Sequence, residues 1–344
     1  MSLLINNLTS SEVITSSNFA KKSNIIYSEI VSHGEYEKIS NKNTFVISQN
    51  DKEVLYKNNH FEIKENDVIF CNSYLIRDLF NMLNETKGFN NLKLITGQTD
   101  HKITKSIFLN KPKCISKWFA VNVAYQTNEL IPIPLGLSNN VAGKNLDKDN
   151  YLRLVQKMSK KNKIYSNFEI NTNYFHRRQL LKNYYVDNMD YNFELEKINF
   201  DQYLENLNEF EYILCPWGNG IDTHRVWEAL YANSIPIVKN HITYKTLDYL
   251  NAIKVKSYKE ITINSLENKK NKNIDESFLN IDSWMNLIYK DNIESFYEIK
   301  INDNQEKNRK IKSNFYKTIE KERKIKKFLT AFRKIDQKIL QVRI

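Results

Sequence analysis

Arg225 and Glu228 stand three residues apart behind the run Gly218-Asn219-Gly220. On a helix, residues at that spacing share a face. A guanidinium in the first turn of a helix, behind glycines that let the backbone approach a ligand, suits a diphosphate. A carboxylate one turn deeper suits the paired hydroxyls of a ribose. The flanking residues read as strand, loop, helix and strand. Residues 210–215 are apolar and aromatic, and Pro216 ends them because proline has no N–H for a sheet ladder. Asp222 or Thr223 can cap the helix. Ser234-Ile235-Pro236-Ile237-Val238 supplies the returning strand. The expected donor-site set here is Gly218, Asn219, Gly220, Asp222, His224, Arg225 and Glu228, with His224 lining the cleft at the helix start.

The pattern Pro-x-Gly, a gap, Arg-x-x-Glu-Ala, then small-Ile-Pro-hydrophobic-Val resembles the exostosin-like glycosyltransferases, closely over residues 210–240. After Tyr231-Ala232 this chain has Asn233-Ser234 where the family pattern has Gly-Cys, a change expected at the helix end and away from the ligand. The resemblance implies an α/β fold of GT-B architecture, two Rossmann-like domains facing a cleft. It implies transfer of a sugar from a nucleotide-diphosphate donor to a hydroxyl of a glycan or lipid-linked acceptor, with inversion and without a metal or other cofactor. Two further stretches resemble bacterial-type relatives. Residues 165–173 precede a helix bearing Arg177 and Arg178, and there Thr172, Asn173 and Arg177 can contact phosphate. The plainer alternative is an Asx/Thr helix cap followed by solvated arginines. Residues 94–101 end a strand at Gly97, and ligands in open parallel sheets bind at the carboxyl ends of strands. Asp100 is the expected base for the acceptor hydroxyl, with His101 in reserve. The alternative is that Asp100 caps a helix at 102–108. Residues 117–122 end on Asn122, an expected acceptor-side contact.

Rival readings remain. A retaining GT-B transferase also carries Glu-Ala-Leu before such a strand, but its second glutamate, about seven residues upstream, is Ile221 here with Asp222 beside it. From another class, the chain could be a nucleic-acid-binding protein with a basic tail, or an inactive sugar-nucleotide-binding relative. Asp147-Lys148-Asp149 matches a metal-holding Asp-x-Asp, yet it precedes a helix rather than following a strand and reads as a cap. The six histidines lack metal-ligand spacing, and there is no nucleophile elbow or Walker loop.

The elements that must position these residues alternate as in α/β proteins. Strands are expected at 24–30, 44–48, 67–71, 92–96, 117–122, 163–168 and 261–265. Helices are expected at 74–84, 148–158, 174–184, 200–207 and 283–297. A polar stretch, 138–148, reads as a hinge. The organisation that follows is an acceptor domain over 1–145, a nucleotide-sugar domain over 160–285 and C-terminal helices over 286–344. With 344 residues the chain has room for two ordinary domains. Three cysteines in apolar settings argue for a reducing compartment, and no signal peptide or membrane span is visible, so a cytoplasmic location is expected. The net charge of +11 is local: in residues 308–344 thirteen Lys or Arg face only Glu320, Glu322 and Asp336, so the body is nearly neutral and no nucleic-acid partner is expected. Phe315, Ile319, Ile325, Phe328 and Phe332 recur at helical spacing among these bases. Such a stretch can pack on the body through its first half and adsorb to an anionic membrane from Lys326 onward, at about 1 kcal/mol per basic residue.

Overall fold

Short runs of Ile, Val, Leu and Phe form the strands of two sheets, and amphipathic segments between them cover the faces. The computed structural model describes residues 7–341 apart from 87, 89, 140–145, 148–149, 151–158, 170–171, 174–189, 195–197, 259–260, 271–272, 291–297 and 303–304. In the first half the strands are β1 (Ile25–Ser32), β2 (Thr44–Gln49), β3 (Glu53–Asn58), β4 (His60–Lys64), β5 (Val68–Asn72), β6 (Leu92–Gly97), β7 (Ile115–Ala120) and β8 (Leu130–Pro132). All but β4 form one sheet in the order β2-β3-β1-β5-β6-β7-β8. Only β3 opposes its neighbours in direction. The second sheet contains β9 (Lys161–Asn167), β10 (Tyr191–Glu194), β11 (Phe210–Leu214), β12 (Ile235–Lys239) and β13 (Ile253–Val255) in the order β10-β9-β11-β12-β13, all parallel. A last strand, β14 (Glu298–Asn302), pairs antiparallel with β4.

The described helices are α1 (Ser16–Lys21), α2 (His33–Ile39), α3 (Ile76–Glu85), α4 (Lys105–Phe108), α5 (Phe200–Glu209), α6 (His224–Tyr231), α7 (Ile263–Glu267), α8 (Ile281–Tyr289) and α9 (Gln305–Gln341). A 3-10 turn, Ser73–Leu75, leads into α3, and Leu75, Leu79 and Leu83 are all buried. Three expectations change. The strand expected at 261–265 is the start of α7: the Thr262 hydroxyl accepts from the Ser265 N–H, and the Ser265 side chain reciprocates. The helix expected at 102–108 contracts to α4, because Ile103 is bridged to Val123 across the strand ends. Asp100 is therefore not its cap; Thr104 holds that place. Within the helix expected at 283–297, the described part is α8. The helices expected at 148–158 and 174–184, and most of the 138–148 stretch, lie outside the described residues.

Parallel strands buried on both faces must be covered twice. One buried cluster runs through both halves, joining Phe19, Phe70, Ile95 and Phe119 to Tyr165, Ile213, Trp227 and Trp284. The outer face of the first sheet packs under α3 and the start of α9, with Trp118, Phe80 and Ile311 inside. The chain from Ile281 onward returns to the first half. The Ile281 N–H donates to the Glu12 carbonyl, Lys22 pairs with Asp282 at 2.7 Å, and β14 joins β4.

Candidate functional site

The loop between β11 and α6 meets the first sheet at the carboxyl ends of β6 and β7. Asn122 follows β7 in a left-handed conformation, φ 59°, which asparagine tolerates better than most residues. Its side chain is 1 % exposed. Its Oδ1 accepts from the N–H groups of Ile221 and Asp222, both at 2.8 Å. Gly220 lies against the same amide. A Cβ there would stand 2.9 Å from Asn122 Nδ2 and 3.2 Å from Asp100 Oδ1. The glycine is thus required by close approach rather than by an unusual φ. Asp100 is exposed and directly abuts the glycine loop.

Asp222 is buried in the same junction. Its carboxylate accepts from the N–H of Leu135 at 2.9 Å, of Thr223 at 2.9 Å and from Trp227 Nε1 at 3.0 Å. Burial pushes its pKa up to about 6, against the pull of those donors. Its oxygens, expected at the donor, are spent inside the protein. Asn122, expected on the acceptor side, is likewise engaged with the loop. Both side chains fasten the loop to the first half of the chain.

Helix α6 begins at His224, and Thr223 precedes it without a side-chain cap bond. The buried Thr223 hydroxyl and the Ser166 hydroxyl at the end of β9 have no hydrogen-bond partner among the described residues. His224 Nδ1 lies 2.8 Å from the Gly136 carbonyl, so Nδ1 carries the proton and Nε2 is left for a ligand. Gly136 is itself fixed by sterics: its φ is +75°, and a Cβ would fall 2.1 Å from the Ile14 carbonyl oxygen. In the first turn of α6, Arg225 Nε donates to the Tyr203 hydroxyl at 3.3 Å, and its guanidinium lies 5.5 Å from that ring's centroid. The Tyr203 hydroxyl donates to Glu228 Oε2 at 2.6 Å. Burial and the Glu228 charge hold the Tyr203 phenol well above its ordinary pKa, so it stays a donor. Arg225, Tyr203 and Glu228 form one chain, with Glu228 Oε1 having no partner among the described residues.

Trp217, in the same loop, lies between two lysines. Lys102 and Lys239 each place Nζ 5.8 Å from its ring centroid, and His241 meets its edge at 5.1 Å. Burial and the nearby Lys102 hold His241 below its ordinary pKa. Lys102, Lys239 and Arg225 thus bring three basic side chains to the loop and the start of α6. Thr172 and Asn173 sit in a turn beyond the end of β9, the strand that pairs with β11, with Asn173 at φ 51°. Arg177 and Arg178 lie outside the described residues.

His101 faces elsewhere. Its Nε2 meets Glu322 Oε1 of α9 at 2.5 Å, and its ring packs edge-on against Tyr74 at 4.7 Å. The reserve base is thus held by the C-terminal helix. Asp147 exchanges hydrogen bonds with Asn150 as a turn cap does. Asp149 is outside the described residues, and among those described no group of three metal-ligating side chains gathers. Tyr203, Lys102, Lys239 and His241 escaped the sequence reading. Trp217 alone had a signal, its place inside the Pro-Trp-Gly run.

Asn233 and Ser234, where the sequence departs from Gly-Cys, close α6 away from this site. Asn233 takes the left-handed conformation, φ 55°, that a helix C-terminus asks of glycine. The Ser234 hydroxyl donates to the carbonyls of Leu207 and Phe210. A family model described as the RXYLT1 C-terminal domain matches residues 149–334, more than half of the chain. It takes in β9, the glycine loop, α6 and most of α9. Among curated proteins none matches the chain.

Proposed function

The chain belongs to the RXYLT1 C-terminal domain family, an exostosin-like glycosyltransferase family, and from that footing we propose that it is a bacterial-type GT-B enzyme that transfers a sugar from a nucleotide-diphosphate donor with inversion. The observation that carries this reading is the close approach of Gly220 to Asp100, in the loop that leads into the helix of Arg225 and Glu228. The diphosphate would lie at the start of α6, held by its backbone N–H groups, Arg225 and the Trp217-flanking lysines. Glu228 Oε1 would accept from the ribose hydroxyls while Tyr203 fixes the other oxygen. The Asp100 carboxylate would take the proton of the acceptor hydroxyl as that oxygen bonds to the anomeric carbon. The bond from that carbon to the diphosphate breaks, and the departing charge is met by Arg225 and the helix start. No step needs a metal. The interior hydrogen bonds of Asp222 favour this reading over retention, because they leave no free carboxylate beside Ile221 to act from the other face.

The test uses the full chain and a panel of nucleotide-sugars screened by thermal shift, since a bound donor raises apparent stability by mass action. Arg225→Ala and Glu228→Ala should each remove donor binding, costing roughly 2–5 kcal/mol, with the fold retained. Asp100→Asn should keep donor binding and lose turnover, and turnover in the parent should persist in excess chelator. Near-normal turnover in folded Arg225→Ala, or rescue of chelated enzyme by magnesium or manganese, would overturn the assignment.

A further inference from the structure

A second cavity lies at the opposite edge of the first sheet from Asp100. It holds about 620 Å³ and is walled by the start of β2, the β3–β4 turn, the end of β14 and the first two turns of α9. That volume lies within the roughly 300–1,000 Å³ common for small-molecule sites. Strand β2 runs parallel to β6, and the cavity sits where β2 begins, whereas Asp100 follows the end of β6. Four strand spacings, about 19 Å, also separate the two strands across the sheet. The cavity is therefore distinct from the donor loop.

Its lining is basic and amide-rich. Lys42, Arg309 and Lys312 border it with His60, and no acidic residue lines it. None of these three cations has an ion pair among the described residues. Among nearby lysines outside the lining, Lys64 pairs with Glu298, Lys300 with Glu62 and Lys307 with Glu85, whereas Lys310 has no ion pair among the described residues. Lys42, Arg309 and Lys312 thus bring positive charge without an ion-pair partner to the cavity wall, and that asks for an anion. A second observation is independent of charge. Asn308 is 1 % exposed, yet its Oδ1 has no hydrogen-bond donor among the described residues, and the Asn59 Oδ1 in the facing turn has none among them either. A buried acceptor without a donor costs about 1–3 kcal/mol and marks a missing partner. Cations cannot be matched and amide oxygens satisfied by a bare anion, which brings no donors. A ligand with both an anionic group and hydroxyls meets both needs.

We propose that this cavity is an accessory binding site for a saccharide bearing a phosphate or carboxylate group. Lys42, Arg309 and Lys312 hold the anionic group, and the Asn59 and Asn308 amides take hydroxyl donors from the sugar. The inference does not rest on the transferase reading. Calorimetric titration of the full chain at low salt, with glucose 6-phosphate, glucuronate, glucose and inorganic phosphate, tests it. At least one of the two charged sugars should bind roughly tenfold or more tighter than glucose or phosphate alone. Whichever of them binds identifies the anionic group. The double variant Lys42→Ala with Arg309→Ala should weaken that binding at least about tenfold while circular dichroism and the melting temperature stay close to the parent. Asn308→Ala should narrow the gap between charged sugar and phosphate. Arg225→Ala should bind as the parent does. Equal affinity for phosphate and charged sugars, no binding at millimolar ligand, or binding lost in Arg225→Ala but kept in the double variant would each overturn the proposal.

Discussion

Asp222 shows how one buried carboxylate can fasten a loop across a junction. It is 2 % exposed, meets three donors from two separate segments, and has its pKa lifted to about 6 by burial. Because the folded value exceeds that of the unfolded chain, the folded state binds this proton more readily. The associated stability is present below about pH 4 and is lost as pH rises to about 6. Over that window the stability of the parent relative to Asp222→Asn should fall by about 2–3 kcal/mol and then level off. Urea unfolding at several pH values measures it, and a difference that is flat from pH 4 to 6 would refute the burial argument. Glu29, 2 % exposed and lifted to about 7 chiefly by burial, acts in the same direction, so comparison with the variant is needed to isolate Asp222. Residue types alone singled out Arg225, Glu228 and Asp100 as candidates for chemistry. They could not reveal Asp222 as an internal fastener, because its partners, Leu135 and Trp227, come from opposite sides of the junction.

At the scale of elements, the loop between β11 and α6 is held by an asparagine just after β7, in the other half of the chain. Asn122→Ala would leave the buried N–H groups of Ile221 and Asp222 without their acceptor. The expected loss is about 3 kcal/mol of stability, accompanied by weaker donor binding. Denaturant titration and thermal shift check both, and an unchanged midpoint would show that the loop holds itself. Local patterning was legible where a run was apolar and bounded, as at β5, β6, β11 and β12. It passed over β3, β4, β10 and β14, which lack a continuous apolar run, although β4 and β14 alternate polar and apolar residues. At 261–265 it misled, since Ile261 and Ile263 alternate like a strand while Thr262 and Ser265 form a capping box. Helix α9 was foreseen as a helix, but its docking beside the site through Glu322 and His101 depends on residues 221 apart.

For the whole molecule, α9 reaches from the anionic-ligand cavity to His101 and beyond. Along it Ile311 is buried, whereas Ile325, Phe328 and Phe332 are 51 %, 69 % and 52 % exposed among basic residues. No described helix is long and apolar enough to cross a membrane. An exposed apolar stripe flanked by Lys and Arg instead suits adsorption to an anionic surface. A chain ending at Lys324 should lose salt-sensitive sedimentation with anionic vesicles and keep its nucleotide response. Equal sedimentation of both chains, or none by the full one, would assign the stripe to protein packing. The core that runs unbroken between the two sheets has a different consequence. The stretch that carries the family likeness, 149–334, is not expected to fold by itself. Cut out alone, it would strip α8 of Glu12 and Lys22, β14 of β4 and α9 of His101, and bare one side of the shared interior. Such a fragment should aggregate or melt without a cooperative transition, while the intact chain unfolds in one step. Likeness and autonomy draw their borders in different places along this polypeptide.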